Sequence, residues 1–310
     1  LKRSPTVFET RESRGGDLKS SPKGFFSWFL LVALTGGLLA SCGSKSAQAL
    51  PFATGLQTSV NGWGFANFPS SSFPETNFDT SDVVSMFGSD ATVCVGGKSD
   101  PCVLTAEAAA WAQMVNQSRA SGHCQGLAVI AAQRFNENAS PPTVKLRSGE
   151  ETVHAVSRAF ATQFLPEVQD EATVWINKTL SEKVDALSNS IKLKKASYTL
   201  GLYNESGGHA VTPFAIEYPT KDIARIMIYD SNWPGRNRYV DVNLALKTWT
   251  FSFSGEDPEN DPNLWKGAAT DMDLSSVDVT NASCPFCGDK VGIKNTTLVI
   301  RSNSPDWSID

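Results

Sequence analysis

Histidine, basic runs and internal repeats are scarce in this chain of 310 residues. It contains three histidines, and 27 Lys and Arg stand against 32 Asp and Glu, for a formal net charge of −5. An acidic protein without a basic stripe lacks the electrostatic footprint of a nucleic-acid-binding protein. We therefore expect no nucleic-acid partner. The hydrophobic content of 41% predicts a globular protein with a substantial core.

Complete patterns for metal binding are also missing. The CxxC at 284–287 would need two more ligands to hold zinc, and no second CxxC or CxxH occurs. The acidic stretch 255–274 has neither the spacing of an EF-hand nor its glycine at the sixth position. We expect neither a metal nor another cofactor, and we interpret 255–274 as a solvated acidic loop. A metal site at the CxxC stays open as the alternative to a disulfide.

An apolar run over 24–41 follows Lys19 and Lys23, which is the charge order of a secretory signal. It ends in Leu39-Ala40-Ser41-Cys42, which resembles the lipobox of bacterial lipoproteins. That resemblance implies cleavage before Cys42 and lipidation of its thiol. The alternative is a transmembrane anchor with an incidental cysteine. Either interpretation puts the body of the protein outside the cytoplasm.

The rest of the chain divides by composition. We expect a signal peptide over 1–41, a lipidated tether over 42–57, and an aromatic-rich, extended N-terminal arm over 58–92. A folded domain over 93–255 follows. The segment 256–310 is expected to hold the acidic loop and a further strand near 298–300, and a continuation beyond Asp310 is left open.

Cysteine pairing leaves one thiol over. In an exported protein, Cys94 and Cys102 can pair across a short turn-rich loop, and Cys284 and Cys287 can pair within the CxxC. With Cys42 lipidated, Cys124 is the remaining thiol. An odd thiol in such a protein suggests a reactive residue or an intermolecular bridge, and a buried structural thiol is the alternative.

Helical periodicity precedes strand periodicity along the chain. Helices are predicted over 106–118, where Thr105 is a suitable N-cap, over 150–164 and over 167–191. From 196 onwards β-branched and aromatic runs separated by turns predict strands, among them 210–218 and 223–229. Helices first and sheet second is the order of an α+β fold.

Three polar residues stand at the ends of these elements. Cys124 opens an apolar helix, whose dipole lowers a thiol pKa. His209 begins a strand after two glycines, and Asp230 ends the next strand. If the two strands are adjacent and antiparallel, Asp230 or Asn232 can orient the His209 ring towards a nucleophile. His123 and His154 are the competing bases, and we expect both to have structural roles.

The order Cys124, His209, Asp230 resembles the papain-like cysteine peptidase superfamily over about 105–253. The resemblance implies a papain-like α+β fold, with an N-terminal helical half that bears the cysteine helix and a C-terminal half of antiparallel sheet. It also implies hydrolysis of a peptide or protein substrate through a thioester, with an oxyanion donor before the cysteine. Gln117 is the expected donor.

Two other functions fit the same residues. A transglutaminase-like acyl transferase would use the same triad and pass the acyl group to an amine. A non-catalytic surface module would keep the fold for binding, with the aromatic side chains of the arm, such as Trp63, Phe65 and Phe68, as its contact surface.

Overall fold

Helices occupy the first part of the chain and strands the second, so the fold is α+β as predicted. The computed structural model describes residues 52–255, 257–279 and 283–288, which belong to one compact unit spanning 48–310. The helices of this part are α1 Thr58–Asn61, α2 Thr80–Phe87, α3 Ala106–Ser118, α4 Cys124–Asn136, α5 Glu150–Ala161, α6 Pro166–Ile176 and α7 Leu180–Lys192. Its strands are β1 Phe52–Ala53, β2 Tyr198–Asn204, β3 Gly207–Thr220, β4 Ile223–Tyr229, β5 Asn237–Asn243, β6 Thr248–Ser252, β7 Leu264–Gly267 and β8 Met272–Ser276.

The strands form one antiparallel sheet in the order β7-β6-β5-β4-β3-β2-β8, and the short β1 also pairs with β3. The sheet curls into a half-barrel. Its core side packs against α7, whose Val184, Leu187 and Ile191 are buried against strand residues such as Ile226 and Val240. A second core lies between α4, α5 and other residues of the same strands β3 and β4, such as Ala215 and Tyr229.

Side-chain caps explain where several helices begin. The Thr105 hydroxyl accepts a hydrogen bond from the N–H of Ala108 at the start of α3, as the sequence predicts. The stretch 167–191, predicted as one helix, is instead two. Thr179 and Glu182 form a capping box that starts α7 after a break at Asn177.

The N-terminal arm is folded into the core. Trp63 is 1% exposed, and its indole N–H donates to the Leu127 carbonyl oxygen at 3.0 Å. Phe68 is 8% exposed and stacks on the His123 ring at a centroid distance of 4.5 Å. Trp63 and Phe68 are therefore not available as an exposed contact surface, contrary to the binding-module hypothesis.

The sheet extends beyond both limits expected for the domain. Strand β1 lies within the expected tether, and β7 and β8 follow residue 255. The segment 255–274 is thus not wholly a solvated loop, because Trp265 and Asp273 are 6% and 5% exposed. None of the helices in the described ranges is long and apolar enough to cross a bilayer. The apolar run 24–41, Cys42 and the strand expected near 298–300 lie outside those ranges.

Both predicted disulfides are present. Cys94 bonds to Cys102, and Cys284 bonds to Cys287. The second pair occupies the CxxC thiols as a disulfide, so they are not metal ligands. Among the described cysteines, Cys124 is the free thiol.

We expect Gly126→Ala to destabilise the protein, because α4 packs closely on the backbone of α5 at this glycine. A Cβ at Gly126 would lie 2.1 Å from the Val156 carbonyl oxygen and 2.9 Å from the Phe160 backbone nitrogen. Overpacking of this kind costs about 1–3 kcal/mol in the free energy of unfolding. Urea denaturation monitored by circular dichroism measures that change.

Gly149→Ala is the matched control. A Cβ at Gly149 meets no atom within 4 Å, so its free energy of unfolding should stay within about 0.5 kcal/mol of the original. Equal stability of the two variants would contradict the close approach of α4 to α5.

Candidate active site

The Cys124 thiol sits where α4 crosses the sheet. Cys124 is the first residue of the helix, and the Thr212 hydroxyl on β3 donates to the Ala128 carbonyl oxygen at 3.0 Å. This contact holds the N-terminal turn of α4 over the beginning of β3, where His209 lies. The thiol is therefore brought to the histidine by helix-on-sheet packing, far from it in sequence.

The His209 ring is held by a buried carboxylate. Strands β3 and β4 pair antiparallel, with Thr212 opposite Tyr229, so the residue after β4 comes beside the start of β3. The Nε2 atom of His209 lies 2.8 Å from Oδ1 of Asp230. Asp230 is 0% exposed and His209 is 4% exposed. The structure thus brings together two of the residues that the sequence predicts to interact.

The same imidazole also contacts the thiol. Cys124 and His209 interact through their side chains. Since Nε2 is engaged by Asp230, the ring nitrogen left for the sulfur is Nδ1. The backbone N–H groups of Ala210 and Gln125 also point at the sulfur. Cys124, His209 and Asp230 therefore form a continuous chain of polar contacts.

Asn232 does not replace Asp230 as the orienting group. Its backbone N–H donates to Oδ1 of Asp230 at 2.8 Å, and its side-chain oxygen accepts from Asn67. Asn232, the alternative orienting residue, thus binds the Asp230 carboxylate through its backbone N–H.

Electrostatics favour charge separation between sulfur and imidazole. Burial raises the pKa of the Cys124 thiol, but His209 and the surrounding N–H groups lower it more, and the net pKa lies below the ordinary thiol value. Burial lowers the pKa of His209, yet the carboxylate of Asp230 and the sulfur raise it to about 10. At neutral pH the arrangement therefore favours a thiolate beside an imidazolium.

The thiol opens into a cleft of about 410 Å³. Among the described residues that line it, His209 is the one with an ionisable nitrogen, and no Asp, Glu, Lys or Arg contributes. Four aromatic side chains, Phe160, Tyr203, Phe253 and Trp265, contribute to its wall beside uncharged polar side chains of Ser, Asn and Gln. Phe253 stacks on Trp265 at 4.6 Å and meets the His209 ring edge-on at 5.5 Å. The cleft suits an uncharged group with apolar surface.

Gln117 lies outside this cleft. It is exposed on the last turn of α3 and lines a different depression, beside Asn77 and Phe78. The chain makes a turn from Arg119 to Gly122 before α4 begins. Gln117 is therefore not among the residues that line the cleft, contrary to what an oxyanion donor would require.

Asn67 of the N-terminal arm lies in the cleft instead. Its Oδ1 accepts a hydrogen bond from the backbone N–H of His123 at 2.7 Å, and its Nδ2 donates to Oδ1 of Asn232 at 3.1 Å. A Cβ on Gly122 would lie 2.9 Å from Nδ2. The carboxamide is thus fixed against the backbone that leads into Cys124. The arm has no periodicity to indicate this position, and sequence reasoning missed it.

The other two histidines have structural partners, as expected. His123 is fully buried, and burial lowers its pKa to about 4. Its Nδ1–H donates to the Phe68 carbonyl oxygen, and Arg119 donates to its Nε2. His154 lies 2.7 Å from a carboxylate oxygen of the buried Asp82.

Asp82 and His154 belong to a group, with Asp79, whose ligand atoms lie within 4.8 Å of one another. Arg158 already pairs with Asp82 at 2.6 Å. The guanidinium of Arg158, the imidazole of His154 and the cap of α2 are thus the partners of these two carboxylates.

Comparisons with protein-family models, with curated proteins and with solved structures find no match for the chain. The site must therefore be interpreted from its own geometry.

We expect iodoacetamide to alkylate Cys124 at about pH 6 at least 10-fold faster than it alkylates a free-cysteine peptide, because a lowered pKa leaves more thiolate at that pH. His209→Ala removes the groups that lower the thiol pKa most and leaves the effect of burial. Its alkylation rate at the same pH should fall to that of the peptide or below. Mass spectrometry of the labelled protein over a pH series measures both rates.

An alkylation profile of the unaltered protein with its midpoint at the ordinary thiol value would contradict the ion pair. The same profile in His209→Ala and in the unaltered protein would do so as well.

Proposed function

We propose that the chain is an exported cysteine hydrolase that cleaves peptide or other acyl bonds through a thioester on Cys124. The observation that carries the proposal is the series of buried contacts from Asp230 through His209 to Cys124, the free thiol among the described cysteines. Cys124 opens into a cleft whose described lining includes no Asp, Glu, Lys or Arg. The arrangement resembles that of papain-like cysteine peptidases, with Cys124 as nucleophile, His209 as acid and base, and Asp230 as orienting group.

Acylation begins when the Cys124 thiolate attacks the carbonyl carbon of the substrate. A carbon–sulfur bond forms, and the carbonyl electron pair moves to the oxygen. The His209 imidazolium then gives its proton to the leaving amine, the carbon–nitrogen bond breaks, and the acyl group remains as a thioester. His209, now neutral, takes a proton from water as that water attacks the thioester. The acid is released and the thiolate–imidazolium pair is restored.

Asp230 keeps the ring in the orientation that both steps need. Its carboxylate accepts from Nε2–H in the neutral and the protonated ring, so Nδ1 is always the nitrogen that faces the sulfur. The carboxylate also stabilises the imidazolium that is present before acylation and forms again during deacylation.

Asn67 is the best-supported oxyanion donor. Its Oδ1 accepts from the His123 N–H, which fixes the amide orientation, and Asn67 lines the cleft. One hydrogen is used by Asn232, and the other is free to donate to a substrate oxygen. Together with the backbone N–H of Cys124 at the start of α4, it can stabilise the developing negative charge.

The extracytoplasmic location rests on independent features. Both disulfides are of the kind that persists in oxidising compartments. The apolar run and the lipobox-like segment up to Cys42 favour export and lipidation. We therefore propose a membrane-anchored lipoprotein whose catalytic body acts outside the cytoplasm.

Cys124→Ala should abolish hydrolysis of an N-acyl amino acid p-nitrophenyl ester and the thioester adduct seen by mass spectrometry, because no acyl acceptor remains. Asp230→Asn should lower kcat by about 10²–10⁴-fold with little change in KM, because the ring loses its fixed orientation and its charge partner. Stopped-flow release of nitrophenol measures both variants. Equal turnover of Cys124→Ala and the unaltered protein would exclude this reaction.

The same assay separates the alternatives. If added primary amine diverts the thioester to an amide faster than water hydrolyses it, the chain is an acyl transferase. If the unaltered protein forms no adduct while Cys124 is still rapidly alkylated, the site has kept its ion pair without acyl chemistry, and a binding role is favoured.

Asn67→Ala should lower the rate of Cys124 acylation by the ester about 10²–10³-fold, the effect of losing one oxyanion donor. Alkylation by iodoacetamide develops no oxyanion, so its rate should change by less than about 3-fold. The ratio of the two rates measures the effect on the oxyanion alone.

Gln117→Ala is the control, because that side chain lies outside the cleft. It should leave both rates unchanged. A loss of acylation in Gln117→Ala but not in Asn67→Ala would reverse the assignment, and parallel losses of acylation and alkylation in Asn67→Ala would indicate a disturbed thiol.

A further inference from the structure

The loop 119–123, which leads into Cys124, is bonded to residues 67–70 of the N-terminal arm. The Ser70 N–H donates to the Ala120 carbonyl oxygen at 3.1 Å, and the Ser70 hydroxyl donates to the Arg119 carbonyl oxygen at 3.0 Å. Two further hydrogen bonds to the arm come from His123, the residue immediately before the thiol. The arm therefore follows the loop as far as the start of α4.

His123 binds two consecutive residues of the arm. Its backbone N–H donates to Oδ1 of Asn67 at 2.7 Å, and its Nδ1–H donates to the Phe68 carbonyl oxygen at 2.8 Å. The rings of His123 and Phe68 also stack at a centroid distance of 4.5 Å. The backbone contact orients the Asn67 carboxamide, and the ring contacts fix the peptide unit next to it. A displaced ring would therefore displace Asn67.

The neighbours of the ring are compatible with one protonation state. The Phe68 carbonyl oxygen can only accept a hydrogen bond, whereas Nη1 of Arg119, 3.0 Å from Nε2, can only donate one. A neutral His123 ring with its proton on Nδ1 satisfies both neighbours. A protonated ring would set the N–H of Nε2 against the guanidinium and lose that hydrogen bond.

Arg119 keeps the ring in the neutral state. It is 1% exposed, and among the described residues its guanidinium donates to uncharged groups of Thr76, Asn77, Asn116, Ser157 and His123. Burial and the positive charge of Arg119 lower the pKa of His123 to about 4. The rings of Phe68 and of Phe160 on α5, which also face His123, carry no charge. Asp82 is the carboxylate whose charge acts on Arg119 itself.

We propose that His123 is a positioning residue of the active site. Held as a neutral ring between Arg119 and the arm, it keeps the Asn67 carboxamide where that group can donate to the substrate oxygen. The proposal rests on the proposed hydrolysis and on Asn67 as its oxyanion donor. The histidine beside the nucleophile thus acts on the oxyanion through Asn67, while His209 acts on the sulfur.

Two substitutions of His123 separate its hydrogen bonds from its bulk. The amide of His123→Gln can donate to Phe68 and accept from Arg119, whereas His123→Leu can do neither. The measured quantity is the rate of Cys124 acylation by the p-nitrophenyl ester divided by the rate of its alkylation by iodoacetamide. This ratio should fall at least about 10-fold in His123→Leu, because a small displacement of a catalytic group is costly, and less than about 3-fold in His123→Gln.

A double-mutant cycle tests whether the effect passes through Asn67. In the Asn67→Ala background, His123→Leu should lower the ratio by less than about 3-fold further, because the group that it positions is already gone. Losses that multiply in full would overturn the proposal, since His123 would then act on acylation without Asn67.

His154→Leu is the matched control, because it removes a histidine whose partner is Asp82. It should change the ratio by less than about 2-fold, as expected of a site that shares no hydrogen bond with Asn67. Equal falls in His154→Leu and His123→Leu would indicate a general disturbance of the fold and would overturn the proposal.

The pH dependence gives a test that needs no destabilised variant. Protonation of His123 below about pH 4 should lower the ratio in the unaltered protein, because the ring then loses its hydrogen bond from Arg119. His209, whose pKa is raised to about 10, stays protonated in this range. The thiolate fraction affects both rates and cancels in the ratio. His123→Gln should show no such fall, and an equal fall in that variant would contradict the role of the ring.

Nuclear magnetic resonance of the ¹⁵N-labelled protein distinguishes failure of this inference from failure of the proposed function. The side-chain amide signals of Asn67 should shift with the His123 ring, with a midpoint at about pH 4, and should not do so in His123→Gln. This result in a protein that forms no acyl adduct would support the contact and exclude the hydrolysis. Acylation of Cys124 with Asn67 signals that ignore the His123 ring would overturn the positioning role alone.

Discussion

The hydrogen bond between Asp230 and His209 is the constraint on which the site depends. Asp230 is fully buried, and its second oxygen, Oδ2, has no hydrogen-bond partner among the described residues. A buried carboxylate needs a compensating positive charge, because desolvation of an unpaired ion is costly. His209 is the cationic partner within reach, so the carboxylate favours the protonated ring. The imidazolium in turn favours the thiolate at Cys124. One buried negative charge therefore determines the charge state of two other groups.

The N-terminal arm supports that site from the opposite side. Asn67 connects the loop before Cys124 to the turn after Asp230, since its side chain bonds to His123 and Asn232 and its backbone N–H donates to the Ser231 carbonyl oxygen. The Tyr229 hydroxyl accepts from the Trp63 N–H at 3.0 Å and anchors the arm to β4. The helix that begins with Cys124 and the turn that follows β4 are thus held together by the irregular part of the arm between α1 and α2.

The difference between local signals and contacts between distant segments explains what the sequence could and could not predict. The α+β order, the cap of α3 and the two disulfides depend on periodicity, local hydrogen bonds and short loops, all of which are visible in the residues themselves. Cys124, His209 and Asp230 were predicted to meet because each stands at the end of an element and because adjacent strands bring such ends together. Their contacts agree with that prediction, while their catalytic roles stay predictions.

The parts that were missed depend on contacts between distant segments. Gln117 has the expected residue type at a suitable spacing, but the orientation of α3 directs it to another depression. Asn67 has no local signal, because its position results from hydrogen bonds to residues more than fifty positions away. Strands β7 and β8 follow an acidic, turn-rich stretch, and it is pairing with β6 and β2 that gives them regular structure.

For the proposed hydrolysis, the charge of the cleft lining bears on which acyl groups would be substrates. A substrate carboxylate or ammonium would lose its water in a cleft whose described lining offers no Asp, Glu, Lys or Arg to replace it. The product of hydrolysis, by contrast, is an acid that ionises at neutral pH. Once His209 shares its proton with the thiolate again, no other cation in the cleft can retain that carboxylate. In the proposed reaction, the same absence of charge would therefore favour binding of a neutral substrate and release of an anionic product.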